Sequence, residues 1–147
     1  MITTPYDQDF YQWTQKMAVA LRAGKWHELD INNIAEEIES LGRSEKRALK
    51  SRLEILLMHL LKWQYQPKQR SNSWRATVRE QRLRIQDLLV ESPSLKPYFE
   101  AVMPQCYVAA RNLAADETGL HLDTFPSVCP YSLNNSLNQD YFPDEHC

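Results

Sequence analysis

The run LEILLMHLL, Leu53 to Leu61, is apolar at every position but two, Glu54 and His59. Wound at 3.6 residues per turn it is apolar on all sides, and such a helix belongs in the middle of a bundle. It is far short of the ~20 apolar residues that a membrane span needs. The run therefore reads as the central helix of an all-α domain, and the rest of the chain must supply the helices around it.

Upstream, Leu49, Leu53, Leu56 and Leu60 continue the apolar phase of Ile34, Ile38 and Leu41. Gly42 lies between the two sets, and glycine inside a helix costs about 1 kcal/mol relative to alanine. A break or kink is expected there, ending a second helix that starts at Asp30. A first helix is predicted from Thr4-Pro5 or Asp7 to Gly24, with threonine capping, proline at the first turn and glycine terminating. Its apolar face is Tyr6, Phe10, Trp13, Met17 and Ala20 or Leu21.

Downstream, Pro67 stops the central helix and QRSNS (69–73) is a polar loop. A fourth helix, capped by Ser73, runs to about Glu91 with Trp74, Val78, Ile85 and Leu88 as its buried stripe. After SPSLKP (92–97), a fifth helix carries Tyr98, Phe99, Val102, Cys106, Tyr107, Ala110 and Leu113 to about Asp116. Pro104 either kinks it or marks its first turn. Only Pro5 and Pro67 of the eight prolines precede Pro93, so the tail from about 119 to 147 is expected to be mostly irregular, with one short helix after Pro130. Phe125, Tyr131, Leu133, Leu137 and Phe142 are its docking pegs. The expectation is an all-α single bundle of four to five helices in one domain spanning 1–147, with a helical core at about 4–116.

The composition, 43% hydrophobic with three glycines in 147 residues, is globular. Cys106, Cys129 and Cys147 are odd in number and lack ligand spacing, which argues against a disulfide or zinc framework. The N-terminus has neither basic residues nor an apolar run, so no secretory signal is read, and a cytoplasmic location is expected. The net charge of −2 conceals segregation: residues 1–42 sum to −4, residues 43–84 to +9 and residues 85–147 to −7. Such a basic middle is either a binding face or is neutralised within the fold.

Arg75, Arg79, Arg82 and Gln86 form one stripe about a quarter-turn from the apolar one, with Lys68 and Arg70 just before it. Clustered guanidinium groups interleaved with aromatics suit nucleic acid. At the edge of a core they also suit carboxylates of the acidic flanks, and this internal pairing is favoured. In NIAEEIES (33–40), Glu37 flanks the apolar stripe. With Asp7, Asp9 and His59 it makes the candidate set for a metal-dependent hydrolase or nuclease. No HxxxH or ExxH spacing supports that set, so a hydrogen-bonded His59 and a paired Glu37 are preferred. Trp63 and Trp74 flank the loop and are expected to pack on each other or under it. Cys129 reads as a small buried residue, with no base to activate it.

The segments YDQDFYQW, NIAEEIESLGRSEKRAL, HLLKWQYQP, SWRATVREQR and ETGLHLDTFPSVCPY, in that order from Tyr6 to about Phe142, resemble the bacterial domain-of-unknown-function family 29, common in cyanobacteria. The resemblance implies a small helical cytosolic domain and brings no catalytic residue, cofactor or substrate with it. No reaction is specified by the residues and no cofactor is expected. A surface for a protein partner or for self-association is favoured over nucleic acid, with no membrane role.

Overall fold

In the computed structural model, which describes residues 4–144, Leu53, Leu56, Leu57, Leu60 and Leu61 have no exposed surface. His146 and Cys147 lie outside the described residues. Among the described residues the chain is all-α, without strands. Its helices are α1 (Pro5–Gln8), α2 (Phe10–Ala23), α3 (Ile31–Tyr65), α4 (Asn72–Glu91), α5 (Lys96–Thr118) and α6 (Leu133–Leu137), joined in part by single 3-10 turns. None of them is long and apolar enough to cross a membrane. Contacts gather the chain into two compact units, Met1–Ser44 and Glu45–Cys147.

In the first unit, the expected single helix is two. Thr4 caps α1 by accepting from the Asp7 N–H, with Pro5 at the first turn. One turn later Asp9 leaves the helical conformation and accepts from the Gln12 N–H, which starts α2. An aspartate side chain at hydrogen-bonding reach of the backbone competes with helix continuation, and here it wins. Gly24 ends α2 in the left-handed conformation, as expected. Trp13 and Ala20 are buried, and Tyr6, Phe10 and Trp13 form an aromatic cluster with centroids 4.8–5.8 Å apart. The Trp13 indole donates to Asp30 at 3.3 Å, and Asp30 also accepts from the Asn33 amide side chain at 2.7 Å at the start of α3.

The expected break at Gly42 does not occur: α3 runs through it unbroken. A single penalty of about 1 kcal/mol is outweighed by the strong helix formers on either side, such as Ala35, Glu36, Leu41, Lys46 and Ala48.

In the second unit, the apolar core joins the C-terminal half of α3 to Val78 and Ile85 of α4, to Phe99, Val102, Cys106, Tyr107, Ala110 and Ala114 of α5, and to Phe125 and Tyr131 of the tail. Each fully buried leucine contributes about 1.5–3 kcal/mol relative to exposure. α4 is capped by Ser71, two residues before the expected Ser73, through its hydroxyl accepting from the Trp74 N–H. α5 contains Pro104 within its span, so that proline does not mark a first turn; Pro97 does. The tail is pegged as expected. The Tyr107 hydroxyl donates to the Pro126 carbonyl at 2.6 Å and the Tyr131 hydroxyl to Gln64 at 2.8 Å. Burial raises the pKa of both phenols, so both stay protonated donors. The short α6 follows Pro130 as anticipated.

Candidate functional site

The arginine stripe divides into different roles along α4. Arg82 is fully buried, between Val78 and Ile85 rather than at the core edge. Its Nε donates to the Ser136 carbonyl at 2.7 Å and its Nη2 to the Asn135 carbonyl at 3.1 Å. Gln86 donates to the Leu137 carbonyl at 3.1 Å, and Gln139 returns a bond to the Arg79 carbonyl at 3.1 Å. α6 is thus clamped to α4 through main-chain oxygens. The internal role expected for the stripe holds for Arg82, but its acceptors are carbonyls and not the carboxylates anticipated. The C-terminal carbonyls of a short helix are orphaned acceptors, and a guanidinium fork reaches two at once. Burial lowers the Arg82 pKa to about 10, so it remains charged at neutral pH.

Arg79 and Lys68 are exposed. Arg70 and Arg75 instead converge on Trp63, which is buried at the end of α3. The Arg70 guanidinium lies 4.9 Å and that of Arg75 5.0 Å from the centre of the indole ring. Arg70 is held by its Nε, which donates to the Trp63 carbonyl at 2.8 Å. Arg75 also lies 4.9 Å from the Phe142 ring, which itself sits 4.6 Å from Trp63. Trp63 therefore packs with Phe142, while Trp74 carries the Lys62 ammonium at 4.7 Å. Lys62 is buried and pairs with Glu117 at 3.2 Å. Beside these rings opens a cleft of about 480 Å³ lined by Trp63, Arg70, Ser71, Asn72 and Arg75. Among the described residues neither Arg70 nor Arg75 has a carboxylate partner, and Nη2 of Arg70 is buried without any acceptor. The interleaving of basic and aromatic residues was visible in the sequence. That Phe142 completes the platform was not, because no local pattern links positions so far apart.

The alternative set is used otherwise. Asp7 accepts from Thr4, Asp9 caps α2, and Glu37 accepts a hydrogen bond from the Tyr6 hydroxyl. That bond, followed by desolvation and the nearby carboxylates, pushes the Tyr6 pKa up to about 12. His59, in the second unit, is half-buried with Nδ1 2.9 Å from the Ile55 carbonyl, and desolvation lowers its pKa. Among the described residues no three His, Cys, Asp or Glu side chains come together as a metal-binding group. Burial pushes the Cys106 thiol up to about 11 and raises that of Cys129.

The first unit has a different character. Tyr11, Val19, Trp26, Ile31, Ile38 and Leu41 are each at least 60% exposed. Along α3, Ile31, Ile34, Ile38 and Leu41 follow at steps of three, four and three, the spacing of a helix–helix seam.

The chain matches the family model described as "Domain of unknown function DUF29" over residues 5–142, and it belongs to that family. No curated protein and no solved structure matches it.

Proposed function

We propose, with membership of the DUF29 family as the premise, that this chain is a helical interaction module whose partner is a protein, a second copy of itself first of all. The observation that carries this reading is the exposed apolar seam of Ile31, Ile38 and Leu41 on α3. Scattered apolar side chains on a surface are ordinary, but a row at seam spacing marks an association face. A second copy suits it because charge changes sign along the helix: Glu36, Glu37 and Glu39, two of them paired with Arg43 of the same chain, precede Lys46 and Arg47, with Glu45 as the one acidic residue beside them. Two copies paired antiparallel set the acidic stretch of one against the basic stretch of the other. Cytoplasmic placement belongs to the same proposal and is supported by the free thiols of Cys106 and Cys129.

Light scattering coupled to gel filtration tests the pairing across a concentration series. The wild type is expected to shift from monomer to dimer, and the double variant Ile38→Glu, Leu41→Glu to stay monomeric with unchanged helicity. A wild type that is monomeric throughout, or a double variant that dimerises equally well, overturns it.

A further inference from the structure

We propose that the cleft at the start of α4 binds a phosphate monoester group. The site belongs to the second unit and is independent of the apolar seam. Its floor is the buried Trp63 indole, and its walls are two guanidinium groups held against that ring. Each is fixed by a further contact: Arg70 through Nε to the Trp63 carbonyl, Arg75 by the Phe142 ring. Both are therefore pre-positioned, and their ordering costs a ligand little.

Two features make the cleft a receptor for an anion. First, Arg70 and Arg75 lack carboxylate partners among the described residues, although acidic side chains outnumber basic ones in the chain. Second, α4 starts in the same cleft. Ser71 caps the Trp74 N–H, while the N–H groups of Asn72 and Ser73, in the first turn, have no acceptor within the helix.

The donor count chooses among anions. Two guanidinium groups and the Asn72 main-chain N–H offer more donors than the two oxygens of one carboxylate absorb. Three terminal oxygens and a charge near −2 match them. A phosphodiester carries half that charge per group. It is held along a basic groove by several contacts in series, whereas here the guanidinium groups close on one point. The same group is offered by free phosphate and by a phosphorylated side chain of another protein.

Amide and arginine side-chain NMR spectra of the full chain, titrated at physiological salt, test the proposal. The probes are inorganic phosphate, phosphoserine, a phosphoserine-containing peptide, acetate and single-stranded DNA. Phosphate and phosphoserine are expected to shift the Trp63 indole N–H, the Nε–H of Arg70 and Arg75, and the N–H groups of Asn72 and Ser73. Arg75→Gln, at an exposed position, should keep the fold and weaken binding about tenfold or more. Arg70→Gln should also weaken it, with its melting temperature reported alongside because it loses the bond to Trp63. A peptide that binds more tightly than phosphoserine identifies a phosphorylated partner chain, and equal binding identifies the free group; both support the site. No shift with phosphate, acetate binding as tightly as phosphate, full binding by Arg75→Gln, or DNA binding more tightly than every monoester each overturns it.

Discussion

Arg82 donates to the carbonyl of Ser136, 54 residues further along the chain, from a position with no solvent exposure. Removing the guanidinium strands the carbonyl of the buried Ser136, whereas that of the exposed Asn135 can turn to water, and an unmet buried acceptor costs about 1–3 kcal/mol. Arg82→Met is therefore expected to lower stability by roughly 1–3 kcal/mol, a fall in Tm on the order of 5–10 °C. Hydrogen exchange should accelerate first in α6. Arg79→Gln, one turn away and exposed, should change stability by no more than about 0.5 kcal/mol. Equal melting of the two variants would show that the clamp is dispensable.

The three glycines should respond to alanine with opposite signs. Gly24 and Gly119 sit at helix ends with φ of 67° and 73°, where an L side chain costs about 1–2 kcal/mol. Gly42 lies in a helix interior, and a Cβ there meets nothing within 4 Å. Gly42→Ala is expected to add up to about 1 kcal/mol, while Gly24→Ala and Gly119→Ala destabilise. Thermal or urea unfolding of the three variants decides it, and a destabilised Gly42→Ala would refute the continuous α3.

The Tyr6–Glu37 hydrogen bond should be visible in titration. With the carboxylate in place, Tyr6 holds its proton up to about pH 12. In Glu37→Gln the carboxylate charge is gone and the hydrogen bond that remains is a weaker, neutral one, so the Tyr6 ring should titrate closer to the ordinary tyrosine value near 10. The check is the pH dependence of the Tyr6 ring resonances. An unchanged midpoint in the variant would show that some other group sets it.

The largely apolar LEILLMHLL run announced the centre of the core, and period-3.6 stripes announced the helices around it. Local rules placed Thr4, Pro5 and Gly24 correctly because each acts on its immediate neighbours. They misjudged Gly42, where one unfavourable residue competes with the cooperative propagation of a long helix. They also set Arg82 at the core edge, because a helical wheel gives the direction of Cβ and not the reach of a long side chain. The platform of Trp63, Arg75 and Phe142 needs positions far apart in the chain to meet, and no spacing rule carries that information.

His59 gives the fold a pH dependence of known sign. Desolvation, the largest cause, holds its folded pKa below the ordinary 6.5, with Lys62 acting the same way and the Ile55 carbonyl and Glu117 opposing. The unfolded chain therefore binds this proton more readily than the folded one, and stability falls as protons bind. The contribution is fully present above pH 6.5 and is lost progressively as pH falls below that value toward the lowered folded pKa. Tm should decline between pH 7 and pH 5, and His59→Gln, which cannot take up the proton, should show a smaller decline over that window. The His59 ring resonances should report a midpoint below 6.5. A midpoint above it, or an identical Tm slope in the variant, would remove His59 as the titrating group.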